Sequence, residues 1–326
     1  MTDIITVVIP NYNGCRYLKE CLETLLADRE NAPAFRVLVV DNGSTDNSCA
    51  FVREQFPQVE LLALPENTGF CGAVNVGIKA SRTPYVVLLN NDTKVKSGFI
   101  TNLYRAIEGD EKVFSVSART LMWDDPNRVD DAGDRFCALG WAFARGKGKR
   151  TDRYDTATEV FSACGCAAIY RRSVFDEIGL FDELHFAYLE DLDIGYRAQI
   201  YGYRNLYEPK AQVIHYGSAS SGSRYNEFKT RLVSTNNIYL IHKNMPLLQR
   251  IWNLPFLVPG FLIKNLFFAA KGMGVLYTKG VLQGLKRSYS APGKAHKVPF
   301  RLHHLPNYCR IQLQLYANLI RFLMKS

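Results

Sequence analysis

Residues 85–92 read Tyr-Val-Val-Leu-Leu-Asn-Asn-Asp. A wholly apolar run ends abruptly in small polar side chains and one carboxylate. Buried strands of parallel sheets have this form. In open α/β sheets, ligands bind just beyond the carboxyl ends of the strands. Asp92 therefore stands where a metal ion or a nucleotide phosphate would sit.

The same pattern occurs twice upstream. Ile4-Ile-Thr-Val-Val-Ile9 is stopped by Pro10-Asn11-Tyr12-Asn13, and the apolar run 35–40 ends in Asp41-Asn42-Gly43-Ser44. Residues 17–26 and 48–55 have helical character between these runs. A third strand at 59–64 leads through Glu66-Asn67-Thr68-Gly69 into a helix at 71–80. This alternation predicts an α/β fold with a mostly parallel sheet flanked by helices. One Asn- or Asp-rich turn after a strand is commonplace, but three in series predict a shared, ligand-binding edge.

Neither G-x-G-x-x-G nor G-x-x-x-x-G-K-[ST] is present, so the dinucleotide-binding and P-loop readings lose their support. Phosphate must be held some other way. A divalent cation on Asp92 would do so, and hard oxygen ligands suit Mg²⁺ or Mn²⁺. A second acidic cluster, Glu190-Asp191-Leu192-Asp193, opens a helix predicted over 189–200. Asp193 and Arg197 form an i,i+4 pair there. A carboxylate in this aromatic setting can act as general base toward a hydroxyl. His215 follows a short strand and offers an imidazole ligand near the metal. The stretch 121–155 is rich in Asp, Gly, Arg and Lys and reads as long irregular loops. Its Arg145–Arg150 run reads equally as a diphosphate clamp and as a solvated loop, and its Trp123 and Trp141 as sugar platforms or as packing.

Charge divides the chain. All 31 Asp and Glu lie at or before Glu227, whereas 15 of the 40 Lys and Arg lie after it. The acid-free end is also apolar and aromatic. That pairing suits an anionic membrane surface and argues against nucleic acid. Residues 251–270 approach the length and apolarity of a membrane span, but Pro255, Pro259 and Gly260 are expected to interrupt it. An interfacial helical pair is the preferred reading. Residues 311–323 place Leu315, Leu319, Ile320 and Leu323 on one helical face, also assigned to the membrane surface. Apolar tail helices would equally serve a homodimer. The predicted division is a catalytic domain over 1–240 and a basic helical tail over 241–326. The eight scattered cysteines show no C-x-x-C and are expected to be free thiols. No signal peptide is evident, which places the chain at the cytosolic face.

Taken in order, these motifs resemble family 2 glycosyltransferases of the GT-A fold, close to the bacterial rhamnosyltransferase-like group. The likeness rests on residues 7–13, 39–46, 66–70, 88–93, 188–193 with Arg197, and His215, and spans roughly residues 4–240. The resemblance implies that Pro10, Asn11, Tyr12, Asp41, Asn67, Gly69, Asn90 and Asn91 bind the nucleotide sugar. It implies Asp92 as the metal-binding Asp of a D-x-D motif, with His215 as a further metal or diphosphate contact. Asp191 becomes the catalytic base, with Glu190 beside it in acceptor binding. Asn90 departs from the motif, whose first position is Asp. The implied activity is inverting transfer from dTDP-rhamnose or a UDP-hexose to a glycan or polyprenyl-linked glycan in cell-surface polysaccharide synthesis. Two alternatives are a nucleotidylyltransferase and a non-catalytic assembly subunit. The first should carry a Gly-rich signature after Ile9, which is absent; the second is at odds with intact Asp92, Glu190 and Asp191.

Overall fold

The computed structural model describes residues 2–217 and 225–324. Strands β1 (Ile5–Asn11), β2 (Phe35–Asp41), β3 (Glu60–Ala63) and β4 (Tyr85–Leu89) alternate with helices α1 (Cys15–Ala27), α2 (Ser48–Gln55) and α3 (Gly69–Ala80). The four strands pair in parallel in the order β3-β2-β1-β4. Their register sets Asn11 opposite Asp41 and Val8 opposite Leu88, so the three polar strand ends lie along one edge. Alternate side chains feed two cores. Ile5, Val7 and Ile9 pack with Leu18 and Leu22 of α1. Val8, Leu38 and Leu88 pack with Ala73, Val74 and Ile78 of α3. Burial of both faces explains why these strands are apolar throughout.

Antiparallel pairing enters beyond β4. The chain continues through β5 (Thr93–Val95), α4 (Phe99–Glu108), β6 (Val113–Met122), β7 (Val129–Asp131), β8 (Asp134–Phe136), β9 (Ala142–Ala144), β10 (Thr158–Val160) and β11 (Ala167–Arg171). Then come α5 (Val174–Ile178), α6 (Glu190–Ile200) and β12 (Arg204–His215). The sheet is ordered β10-β12-β6-β11-β4-β1-β2-β3, with β11 antiparallel to both of its neighbours. The two short strands expected at 205–207 and 211–214 form one strand, β12. Its register slips between Glu208 and Gln212, around Pro209, as a proline inside a strand requires. The stretch 121–155 is more ordered than its composition implies. It holds β7, β8 and β9, and Val129, Ala132, Phe136 and Cys137 are fully buried. The eight cysteines are free thiols.

The remaining helices are α7 (Glu227–Asn244), α8 (Leu247–Ala269), α9 (Gly274–Tyr289), α10 (Ala291–Ala295) and α11 (Leu305–Leu323). Helix α8 runs through both Pro255 and Pro259. Each proline forfeits one backbone bond, but burial of Leu257, Gly260 and Phe268 holds the helix together. The stretch expected to break into a helical pair is thus one continuous helix, packed against α9. Among the described residues, α8 is the one helix long and apolar enough to cross a membrane. Helix α9 lies so close to α7 that a Cβ at Gly280 would fall 1.8 Å from Ser234 Oγ, and one at Gly284 2.4 Å from the Thr235 carbonyl oxygen. Helix α11 differs from its predicted role. Ile311 and Leu315 are buried with Phe136, Tyr196 and Ile200 of the catalytic part, leaving Ile320 and Leu323 exposed.

The predicted division at 240 and 241 falls inside α7, at a buried ion-pair network. Lys243 Nζ donates to Asp182 Oδ2 at 2.7 Å and to Asp193 Oδ2 at 2.8 Å. Arg197 also donates to Asp193, and Tyr239 to Asp182. Burial opposes ionisation of both acids, but Lys243 holds each below the usual carboxylate range, Arg197 helping at Asp193. His185 lies close enough to these two acids to complete a cation site. The ammonium and guanidinium already supply the positive charge. Lys243→Met would strand two buried carboxylates, and loss of one partner of such a network costs about 3–5 kcal/mol. We expect a loss of that size in urea unfolding at pH 7. Because both carboxyls titrate below their unfolded values, the wild-type network contribution is present above about pH 4 and is lost on further acidification.

Candidate functional site

Eleven of the twelve residues singled out in the sequence line one cavity of about 420 Å³ at the carboxyl edge of the sheet. Asp41 is the exception. It is buried behind the wall, accepting from Asn11 Nδ2 at 2.8 Å and from the Ser44 N–H at 3.0 Å. Asn91 Nδ2 in turn donates to Asn11 Oδ1 at 2.6 Å. The three strand ends are thus one hydrogen-bonded unit, with Asp41 as its anchor. Asn42 also lines the cavity, although its neighbour Asp41 was the residue chosen from sequence. Its side chain binds Asn67 Oδ1, the Gly69 carbonyl and the Thr68 N–H, fixing the 67–69 loop.

In the cavity wall, His215 Nε2 lies 3.3 Å from Asp92 Oδ1. The other ring nitrogen, Nδ1, lies 2.9 Å from Asp130 Oδ2, and Lys147 pairs with Asp130. Burial alone would lower the imidazole pKa, but Cys166, Asp130 and Asp92 hold it well above its ordinary value. Burial likewise opposes ionisation of Asp130, yet His215 and Lys147 bring it down to about 2. A carboxylate orienting a histidine from behind is the usual support of a histidine metal ligand. Asp92 Oδ1 and His215 Nε2 stand side by side, an oxygen donor and, once the ring loses its proton, a nitrogen donor for a divalent cation. The donor set therefore fits Mg²⁺ or Mn²⁺. Asn90, the departure from the acidic motif, lines the same cavity, with its backbone N–H on the Cys166 carbonyl.

Glu190 and Asp191, which line the same cavity, open α6. Burial pushes Asp191 above the usual carboxylate range, while the Leu192 N–H and Asp134 partly offset it. Burial and the charge of Asp191 push Glu190 up to about 8. Asp134 is held well above the usual range, first by burial and then by the charges of Asp191 and Asp131. Burial and the neighbouring charges favour the protonated form of Asp134, which can donate to Asp191. Asp191 faces the cavity as the one acid of the three best able to accept a proton.

The approach to α6 is strained. Phe186, Tyr188 and Leu189 have φ of 62°, 70° and 67°, each costing about 1–3 kcal/mol. Two contacts hold this loop. Gly69 backs onto it so closely that a Cβ there would meet the Phe186 carbonyl oxygen at 2.5 Å. From the other side, Asn236 of α7 brings its amide nitrogen within 2.8–2.9 Å of the carbonyls of His185, Ala187 and Tyr188. Arg287 of α9 donates to Asn236 Oδ1 at 2.7 Å. Neither Asn236 nor Arg287 carries a sequence signal, since Asn236 lies in a stretch without a recognised motif and Arg287 in the basic tail. Trp123 stacks on Tyr216 at 3.6 Å, and Trp141 donates to the Gly260 carbonyl of α8. Both take packing roles. Lys147 is the one side chain of the basic 145–150 run that reaches the cation corner, through Asp130.

Residues 6–179 match the family model described as glycosyl transferase family 2. Over 246 residues, 68% of this chain and 79% of the relative, the sequence is 29% identical to a Mycobacterium tuberculosis protein. That protein is named N-acetylglucosaminyl-diphospho-decaprenol L-rhamnosyltransferase. The mannosyltransferase PcManGT of Pyrobaculum calidifontis, solved with GDP-Man and Mn²⁺, superposes with a TM-score of 0.53 at 17% identity. The match covers 100% of this chain and 88% of that one. GalNAc-T7, solved with UDP, GalNAc and Mn²⁺, gives a TM-score of 0.58 at 14% identity, over 73% of this chain and 47% of its own. At these identities the structural likeness speaks for the fold.

Proposed function

The chain belongs to glycosyltransferase family 2, and on that premise we propose that it transfers a sugar from dTDP-rhamnose or a UDP-hexose to a lipid-linked glycan. Its fold is GT-A, and its reaction is inverting transfer from a nucleotide sugar. The proposal concerns donor, acceptor and the residues responsible. The observation that carries it is that Asp191, Asp92 and His215 line one cavity at the carboxyl edge of the sheet.

In this reading, Asp191 takes the proton of an acceptor hydroxyl as its oxygen attacks the anomeric carbon. The bond from that carbon to the diphosphate oxygen breaks on the opposite face, the electron pair leaves with the nucleoside diphosphate, and configuration inverts. Asp92 and His215 would hold Mg²⁺ or Mn²⁺, which when bound neutralises charge on the departing diphosphate. Asn11, Tyr12, Asn67 and the anchored Asp41 shape the nucleoside end. Glu190, largely protonated at neutral pH, can donate to an acceptor hydroxyl. A screen of nucleotide sugars with either metal, reading released nucleoside diphosphate, tests the donor. Release from none of the dTDP- or UDP-sugars would overturn the assignment.

The activity for which the mycobacterial relative is named supports a lipid-diphosphate acceptor, and the tail over 241–326 supports a site at the cytosolic membrane face. Leu248 and Leu266 of α8 are 80% and 70% exposed, beside a region whose basic charge no acid opposes. Replacing Leu248, Ile251, Leu262 and Leu266 by Ser should abolish co-sedimentation with anionic vesicles. Unfolding should be little changed, because these side chains are exposed. If the variant still pellets, the anchor reading fails. If it turns a dimer into a monomer in light scattering without altering sedimentation, the apolar face serves a homodimer.

A further inference from the structure

A second cavity, of about 300 Å³, adjoins the Tyr188–Asp191 segment. Tyr188, Glu190 and Asp191 line both cavities. The second is completed by Asp134, by Val233 and Asn237 of α7, and by Lys264 of α8. Its size is at the lower end for small-molecule sites. Lys264 is the cation of this wall. Its Nζ stands 5.8 Å from the centre of the Trp141 ring. Among the described residues, no carboxylate lies within ion-pair distance of it. Neighbouring Glu190 and Asp134 each keep a buried carboxyl oxygen without a hydrogen-bond partner.

We propose that this second cavity is an acceptor subsite in which Lys264 binds the phosphate of a lipid-linked sugar beside Asp191. The inference rests on the reading of Asp191 as base, because a base must face the hydroxyl it deprotonates. Three acids beside an anion would repel it if all were ionised. Burial and the charge of Asp191 hold Glu190 protonated, so that it offers a hydrogen-bond donor, while the raised Asp134 keeps its proton toward Asp191. That leaves Asp191 and Lys264 as the charged groups, one suited to a sugar hydroxyl and the other to phosphate. The donor diphosphate belongs elsewhere, since Lys264 takes no part in the wall near Asp92. The position of Lys264 favours a lipid-linked source over free phosphate. It projects from α8, whose neighbouring Leu262 and Leu266 are exposed.

The test is calorimetric binding of geranyl diphosphate and of inorganic diphosphate to the full chain in EDTA, where cation-dependent donor binding is off. Geranyl diphosphate should bind at least about tenfold more tightly than inorganic diphosphate. Lys264→Gln should weaken it about ten- to a hundredfold, the scale of a charge-assisted bond. Lys264→Arg, which keeps the charge, should stay within about threefold of wild type. Equal affinity for the two ligands, or a K264Q variant that binds like wild type, overturns the proposal. The measurement needs no turnover, so it stands or falls separately from the role of Asp191.

Discussion

Asp191→Asn is expected to leave donor binding near wild type and to slow transfer by on the order of 10²–10⁴-fold, the usual worth of a positioned general base. The amide is close in shape to the carboxylate and keeps an acceptor for the Leu192 N–H, which lies 2.7 Å from Oδ1. What it lacks is proton affinity. The variant should therefore bind nucleotide sugar but fail in the chemical step, lowering kcat with little change in donor KM. A variant with wild-type turnover would remove Asp191 from the mechanism. The pH profile adds a second reading. The working form of Asp191 is ionised, and its pKa is raised, so wild-type activity should fall with acidification at a pH above the ordinary carboxylate range. The D191N variant should lose that limb. Asp134→Ala should move it upward, because removing a donor to the carboxylate disfavours the charged form.

Asp92→Ala acts on the cation site. We expect weaker donor binding and weaker metal dependence together, by about 100-fold or more. Substitution of a group that merely orients a metal ligand costs 10–100-fold, and Asp92 is placed as the ligand itself. Asp130→Asn offers the comparison, since it would disturb only the bond that orients His215, and its loss should be the smaller. The measurement is a titration of Mn²⁺ against nucleoside diphosphate release, with donor affinity measured in parallel. Metal response unchanged in D92A would remove this residue from the cation site. Parallel losses in donor affinity and metal response would connect it to the diphosphate.

Asp130 and Asp134 also mark the limit of what could be read from sequence. Pro10-Asn11-Tyr12, Asp41, Asn90-Asn91-Asp92 and Glu190-Asp191 were legible because each ends or begins an element of strong periodicity. The βαβ alternation then fixes where those ends lie. Asp130 and Asp134 sit in a stretch with no such period, where charge reads as solvent exposure. Strands of three residues carry them into the site, and an ion pair or a retained proton offsets their burial. Helix α8 was hidden for a related reason. Two prolines argue for a break, but the packing that overrides them comes from residues distant in sequence. Likewise, α11 looked like a membrane face because amphipathicity does not say which partner covers it.

The clamp from Arg287 through Asn236 to the 185–188 carbonyls has a practical consequence for modularity. A chimaera that joins residues 1–240 to a foreign anchor would keep the proposed base and cation ligands but lose Lys264. It would also lack the guanidinium that orients Asn236 and the ammonium that neutralises Asp182 and Asp193. The smallest transplantable unit therefore includes α7 to α9 and the core-packed α11, and the exposed face of α8 cannot be exchanged as a separate module.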